Sequence, residues 1–377
     1  MAETTWHLIG EEPSVRSRAP FAVLVGKESI AIFHHEGRFH AISNVCNHKA
    51  GPLSEGMVEG DYVTCPWHGW VYNIKTGKGE PGYEGDAVPA YEVEARNGNV
   101  YVATPAISKR GLLPHPPKYE FNKEPRKPGE RPRVVGISTT SMDAKNPRFS
   151  TSDHLLEVAL QHAATNMGAH TRLLRLRELN FRECEGNYSK AAHACTWPCA
   201  ITERDGNDQL GIVYDSLLYW ADVVLIATPI RWGNASSLYY KMIERMNCVQ
   251  NQITIRNKVL VQKKVAGFII TGGQDNVQAV AGQMLMFFSE LGFVFPPFPF
   301  IGHSRGWTAE DMENNVKMVR RSGSLKHGAE TLVERTLEMH KSIAGMKWAA
   351  SIERAGRKAS AAVLGERTRR AEEAAQP

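Results

Sequence analysis

Two Cys/His pairs separated by sixteen residues, Cys46-Asn47-His48 and Cys65-Pro66-Trp67-His68, constrain this chain more than any other feature of its sequence. Each pair must sit on a short loop, and the loops must meet if the four side chains are to share one centre. Gly51-Pro52-Leu53 and Gly69-Trp70 supply the tight backbone that lets two loops close over one site. Thiolates on one iron and imidazoles on the other suit a [2Fe–2S] cluster, whose potential such ligation raises above that of an all-thiolate cluster. A Cys2His2 zinc site or two unrelated cysteines are the alternatives. A zinc site accounts for the ligands but not for the loops.

Short apolar runs before the first pair, Phe21-Ala22-Val23-Leu24-Val25 and Ile30-Ala31-Ile32-Phe33, are broken by glycine and charged turns, as in a small antiparallel β domain. Val88 to Val93 and Val100-Tyr101-Val102 continue the pattern and close it. With Gly69-Trp70-Val71-Tyr72-Asn73 after the second pair, residues 5 to 104 resemble a Rieske domain of the ferredoxin and oxygenase branch. The respiratory branch carries a further cysteine after each pair and a serine just beyond the second, where this chain has Ala50-Gly51, Trp67 and Trp70. The resemblance implies that Cys46, His48, Cys65 and His68 are the cluster ligands. It also implies few hydrogen bonds to sulfur, and a potential at the low end of the Rieske range, near roughly −150 mV. Tyr72 stands where the respiratory branch places a tyrosine that bonds a cluster thiolate.

At 377 residues, 42% of them hydrophobic, the chain is long enough for two domains with full cores. No stretch reads as a membrane span. The start Met1-Ala2-Glu3-Thr4-Thr5-Trp6-His7 lacks the basic and apolar segments of a signal peptide, so a cytoplasmic protein is expected. A net charge of +5 from scattered basic residues gives no reason to expect nucleic acid as a partner. Six cysteines in such a chain read as metal ligands, core thiols or redox centres rather than a disulfide framework.

Four segments are expected: a first domain over 1–104, a Pro-rich linker over 105–132 that is extended and fairly stiff, a second domain over 133–345, and a charged, Ala-rich tail over 346–377. In the second domain the rhythm becomes strand, loop, helix. Strands are expected at Arg133 to Ile137, Thr171 to Leu176, Asp222 to Ala227 and Val265 to Thr271, with helices near 152–167, 209–220, 234–248 and 275–291. This alternation gives a doubly wound parallel sheet with its ligand site beyond the carboxyl ends of the strands. The loops there are Ser138-Thr139-Thr140-Ser141 running on to Ser150-Thr151-Ser152, then Thr228-Pro229-Ile230-Arg231-Trp232-Gly233-Asn234, then Thr271-Gly272-Gly273-Gln274. Hydroxyls and N–H groups at a helix start suit a phosphate, with ordinary N-capping as the alternative. The second loop offers a flat aromatic side chain to a planar ring.

Together these loops resemble those of the flavodoxin-like NAD(P)H-dependent FMN reductases, over about residues 132 to 340. The resemblance implies that Ser138, Ser141, Ser150, Thr151 and Ser152 cradle the FMN phosphate, although this first loop is longer than the family's usual Gly-Ser-Pro-Arg form. It places Thr228, Pro229, Ile230, Arg231, Trp232, Gly233 and Asn234 along the isoalloxazine, with Thr271, Gly272 and Gly273 at its far edge. It also implies flavin sites at the interfaces of a homodimer or homotetramer. Cys184-x10-Cys195-Thr196-Trp197-Pro198-Cys199 is similar in place to the four-cysteine cluster motif of iron–sulfur flavoproteins. With three cysteines it would need His193 or an outside ligand, and structural thiols are the alternative. Cys248 falls on an apolar helix face as a core residue.

The expected architecture is therefore an all-β Rieske domain followed by an α/β flavodoxin-like domain. The expected cofactors are a [2Fe–2S] cluster and FMN, with NAD(P)H as co-substrate. NAD(P)H to FMN to cluster to an acceptor, such as a small molecule or an oxygenase component, is one order of electron flow. Entry at the cluster with FMN reducing an organic substrate is another, and a passive carrier or redox sensor a third. The two-His, one-carboxylate iron run of an oxygenase is missing from the sequence, and no Gly-x-Gly-x-x-Gly follows a strand, so nicotinamide would stack directly on flavin.

Overall fold

The computed structural model describes residues 3–112, 118–124, 129–142, 145–146, 148–272, 276–304 and 308–346. The chain divides into two compact units, Met1–Pro117 with Gly186–Cys195, and Lys118–Glu185 with Thr196–Pro377. Among the described residues, no helix is long and apolar enough to cross a membrane.

The first unit is built from antiparallel strands. Phe21–Val25, Glu28–His35, Arg38–Ser43 and Ala90–Tyr91 form one sheet; Thr5–Glu11, Asn99–Thr104 and Val93–Arg96 form a second; Met57–Glu59, Tyr62–Thr64 and Val71–Asn73 form a third. The run Ile30 to Phe33 is apolar without alternation because its strand is buried on both faces. Ile30 and Ile32 pack with Val15, Ala41, Val100 and Val102, whereas Ala31 and Phe33 pack with Ile42, Leu53, Val63 and the two cysteines. Glu12–Arg18 is a short helix.

The Pro-rich run is not a single spacer, because its ends are built into the two units. Gly111–Leu112 pairs with Asp86–Ala87, and Ser108 Oγ accepts from the Ala90 N–H at 2.8 Å. Further on, Tyr119 donates to Asp215 at 2.5 Å, and the Phe121 ring lies 4.7 Å from that of Trp197. Polar side chains among these prolines find buried partners that a reading of composition does not reveal.

In the second unit five parallel strands lie in the order His170–Arg175, Arg133–Ser138, Val223–Pro229, Val265–Gly272, Phe300–Ser304. By chain order this is 2-1-3-4-5, the flavodoxin-like winding, whose switch point falls between the first and third strands. The first strand is buried at every residue, as central parallel strands are. Gly136 lets helix Thr151–Asn166 close on it: a Cβ there would stand 2.7 Å from Leu160 Cδ1. The helix expected at 234–248 is two, Ser237–Arg245 and Asn247–Thr254, and that at 209–220 ends in a π turn over Asp215–Trp220. The fifth strand escapes a reading by pattern because it follows Pro296, Pro297 and Pro299. Helix Gly323–Ala344 brings Leu332, Val333, Leu337 and Ile343 into the core, and residues 347–377 of the tail lie outside the described residues.

Candidate redox centres

The cluster pocket is made by two turns that bite back on themselves. The Cys46 N–H donates to Gly51 O at 3.0 Å and the Ala50 N–H to Cys46 O at 3.0 Å; the Cys65 N–H donates to Trp70 O at 2.6 Å and the Gly69 N–H to Cys65 O at 3.0 Å. A Cβ on Gly51 would sit 2.7 Å from Cys65 Sγ, so only glycine lets the first turn reach the second. Cys46, Cys65 and His68 are each 2% exposed, and His48 is half-buried. The His48 and His68 rings stand 4.5 Å apart, and His48 stacks on Trp70 at 3.9 Å with 14° between planes.

The two thiols share a hydrogen bond. It is the largest influence on both, holding Cys65 down to about 7 with help from the Trp67 and His68 N–H groups and, with burial, pushing Cys46 well above the usual thiol range. Metal binding displaces thiol protons. His68 Nε2 lies 2.5 Å from the Ala194 carbonyl, within the same unit. As a donor there, Nε2 carries the ring proton and leaves Nδ1 to face a metal. Among the described residues a trio of ligand atoms within 4.8 Å of one another occurs at His35, Glu36 and Asp61. Lys75 lies against that trio, 2.6 Å from Asp61 and 3.5 Å from Glu36. The pocket residues fit a [2Fe–2S] cluster.

Behind Cys46 lies a polar network that sequence reasoning mostly missed. Tyr72 Oη is 3.7 Å from Cys46 Sγ, donates to Asp86 Oδ2 at 3.0 Å and accepts from the Asn47 N–H at 3.3 Å. Asn47 Nδ2 donates to Asp86 Oδ1 at 2.5 Å, and Arg110 donates to Asn47 Oδ1 and, at 2.9 Å, to Ser43 Oγ. Burial, then the Cys46 and Asp86 charges, hold the Tyr72 hydroxyl well above its ordinary range, so it keeps its proton. Of this set only Tyr72 was signalled by the sequence; Asp86 and Arg110 lie far along the chain from the ligands.

In the second unit the three strand-end loops are knitted together. Thr140 Oγ1 is 2.8 Å from Ser150 Oγ and 3.3 Å from Ser152 Oγ, and Thr151 Oγ1 is 2.6 Å from Thr271 Oγ1. Ser236, which caps helix Ser237–Arg245, donates to the Thr139 carbonyl at 2.5 Å, and its N–H donates to Thr228 Oγ1 at 3.1 Å. The Ile230 N–H donates to Thr271 O at 2.7 Å. Arg231 and Asn234 exchange backbone bonds of 2.7 and 2.9 Å across a tight turn, in which Trp232 (φ 51°) and Gly233 (φ 73°) are left-handed. Trp232 is 90% exposed at the tip of this turn. Asn276 Nδ2 holds the turn from outside, donating to Gly233 O at 2.6 Å. Gly272 abuts Ile230, whose Cβ would be 2.7 Å from an added Cβ.

Ser138 Oγ is buried and has no hydrogen-bond partner among the described residues, while Ser141 is exposed. Gly273 lies outside the described residues. The central hydroxyl of the first loop is that of Thr140, and Thr139, Ser236 and Asn276 complete the set; the sequence shows them beside the chosen residues without saying which face inward. Clustered hydroxyls at a helix start, an orphaned serine and an exposed tryptophan beside a glycine turn fit a phosphate-bearing planar cofactor such as FMN.

Cys195 belongs to the first unit, Cys184 and Cys199 to the second. Cys199 is buried, accepts from Arg245 Nε at 3.4 Å and is held well below the usual thiol range, first by a hydrogen bond from Cys248 and then by the Arg245 charge. Cys248 is itself buried, as its helix face suggests.

A family model for the Rieske [2Fe-2S] domain matches residues 5–92, and one for NADPH-dependent FMN reductase matches residues 132–307. Ferredoxin CarAc of Metapseudomonas resinovorans is 38% identical over 81 residues, which are 21% of this chain and 74% of that protein. The anthranilate 1,2-dioxygenase ferredoxin subunit of Burkholderia cepacia is 31% identical over 105 residues, 27% of this chain and 97% of that subunit. The crystal structure of RosB with a bound 8-demethyl-8-formylriboflavin-5'-phosphate intermediate superimposes with a TM-score of 0.50 at 18% identity, covering 60% of this chain and 86% of that one. At that identity the likeness is one of fold. The two matched families bring a Rieske cluster, FMN and NAD(P)H as the cofactors of an oxidoreductase. The chain belongs to the Rieske [2Fe-2S] family through residues 5–92 and joins to it, in one polypeptide, a domain of the NADPH-dependent FMN reductase family.

Proposed function

We propose that this chain is an NAD(P)H-dependent reductase in which electrons pass from NAD(P)H through FMN to the Rieske cluster and on to an acceptor, such as an oxygenase component. The observation that carries this reading is the presence in one chain of a site for a two-electron carrier and a site for a one-electron carrier. When bound, FMN accepts a hydride as two electrons and releases them singly, and a [2Fe–2S] cluster takes one at a time. The chain's own residues bind and orient. Thr140, Ser150, Thr151 and Ser152 offer hydroxyls to a phosphate at the start of helix Thr151–Asn166, whose dipole favours an anion. The Trp232 ring and the Gly233–Asn234 backbone would hold the flat ring when FMN is bound. Cys46, Cys65, His48 and His68 would hold the cluster, with His48 the more exposed of the two histidines and His68 closed in beneath Ala194. Ferredoxin relatives whose names attach them to dioxygenases favour an oxygenase as acceptor.

Anaerobic titration with NADH and with NADPH tests the reading. One or both should reduce the flavin and then give the rhombic EPR signal of a reduced Rieske cluster. Failure of both nucleotides, in protein loaded with FMN and iron, would leave the cluster as a carrier reduced by other proteins. A more local test concerns Gly233. A β-branched side chain at its φ of 73° costs roughly 1–2 kcal/mol or more, and the added Cβ would stand 3.2 Å from Asn276 Nδ2. Gly233→Val is therefore expected to weaken FMN binding about tenfold or more, read by fluorescence titration of the apoprotein, with iron content unchanged. Unaltered FMN affinity would move the ring elsewhere.

A further inference from the structure

The phenol of Tyr72 has one proton and two acceptors within reach, Asp86 Oδ2 at 3.0 Å and Cys46 Sγ at 3.7 Å. The choice between them is made by the surrounding bonds. Arg110 only donates, so its bond to Asn47 fixes that amide with Oδ1 toward the guanidinium and Nδ2 toward Asp86 Oδ1, 2.5 Å away. The Asn47 N–H meanwhile occupies a lone pair of the Tyr72 oxygen. Asp86, wholly buried, is thus held by Asn47 with its second oxygen facing the phenol, and a carboxylate at the shorter distance outcompetes the sulfur.

We infer that Asp86 is a positioning residue that draws the Tyr72 proton away from the Cys46 sulfur and so keeps the potential of the cluster low. Hydrogen bonds to cluster sulfur stabilise the reduced state, which carries the added negative charge. A tyrosine placed to raise the potential is thereby kept from doing so by a residue forty positions from the first ligand, counting from Cys46 to Asp86. A low potential suits a cluster that must pass its electron on. The inference rests on the assignment of the cluster to Cys46, His48, Cys65 and His68, but not on the direction of electron flow.

The test is a set of EPR-monitored redox titrations on holoprotein, with iron and sulfide measured for each variant. In Asp86→Asn, an introduced nitrogen facing Asn47 Nδ2, which already donates to the Ala87 and Gly111 carbonyls at 3.1 and 2.8 Å, would set donor against donor, so the amide turns its oxygen toward Asn47 and its nitrogen toward Tyr72. Tyr72 must then turn its proton to Cys46, and the potential should rise. Tyr72→Phe alone should leave the potential nearly where it is in the wild-type protein. The same change in the Asp86→Asn background should lower it again, leaving only the rise due to the lost charge. The inference is overturned if Tyr72→Phe lowers the potential equally in both backgrounds, or if it has no effect in the Asp86→Asn background. Should Asp86→Asn fail to fold, a large fall in Tyr72→Phe alone still overturns it and an unchanged potential supports it. Loss of iron from every variant of the four ligands is the separate check on the cluster assignment, and its absence would undo that assignment rather than this inference.

Discussion

Cys65→Ser is expected to remove the cluster from the protein while leaving the flavin in place. An alcohol does not give up its proton at neutral pH as the Cys65 thiol, held near 7, can, and a hard oxygen is a poor ligand for an iron that also binds sulfide. The position is 2% exposed, so no solvent thiol takes its place. Iron and acid-labile sulfide should fall from about two each per chain to near zero, with the Rieske EPR signal lost. Flavin content should hold, because its loops rest on a separate core built around Val134, Leu156, Val223 and Ile269. A variant that keeps two irons would show that Cys65 is not a ligand. Cluster loss should also lower the melting temperature of the first unit, since metal binding is coupled to the order of its two turns.

The second large effect is expected in the flavin unit, at a residue with no part in its chemistry. Arg245 ends helix Ser237–Arg245 with a side chain that is 0% exposed, paired at 2.8 Å with Asp208, which is also 0% exposed. Arg245 further donates to Thr202 Oγ1 at 2.9 Å and to the Arg182 carbonyl at 2.7 Å. Asp208→Ala leaves a buried guanidinium without its carboxylate, with only the Cys199 sulfur beside it at 3.4 Å, which costs about 3–5 kcal/mol. In a unit of this size that lowers the melting temperature by roughly 6–20 °C. Replacing both partners by apolar residues, Asp208→Leu with Arg245→Met, should recover most of the loss, since neither charge is then buried alone. Differential scanning calorimetry decides: a shift under about 2 °C for Asp208→Ala contradicts the pairing.

The pH dependence of that pair follows from the same geometry. Burial pushes the Asp208 carboxyl up, but the bonds from Arg245 and Thr202 outweigh it and leave it below its ordinary value. A depressed carboxyl contributes stability above its unfolded pKa of about 3.9, and loses that contribution as pH falls through the folded value. The pair therefore supports the flavin unit at neutral pH and weakens it only in acid.

The two Cys/His turns are legible in the sequence because each pair is local and the glycines beside it admit one kind of turn. Gly51 shows why: its missing side chain makes room for Cys65 Sγ, a contact already implied by the motif. The flavin loops were legible one step less directly. Strand ends are visible as the close of an apolar run, which singles out Thr228 and Thr271, but which hydroxyl faces inward depends on tertiary bonds, so the pattern does not single out Thr140 within its loop or Ser236 beyond the second. Partners distant in sequence left no mark at all. Arg245 reads as the basic last turn of an amphipathic helix, and only the fold reveals Asp208 beside it. Arg110 sits in a proline-rich run that reads as spacer, yet it anchors Asn47 between two cluster ligands. The strand Phe300–Ser304 and helix Gly323–Ala344 were obscured by prolines and by a polar composition whose apolar stripe is narrow.

Flavin and cluster, as proposed, form one relay fed by NAD(P)H, and anaerobic rapid mixing of fully loaded protein with the nucleotide follows that relay in time. Flavin absorbance should bleach first and cluster absorbance second, with the second phase absent in Cys65→Ser and the first phase preserved there. A cluster that stays oxidised beside fully reduced flavin, while a low-potential chemical reductant still reduces it, contradicts the relay in this direction.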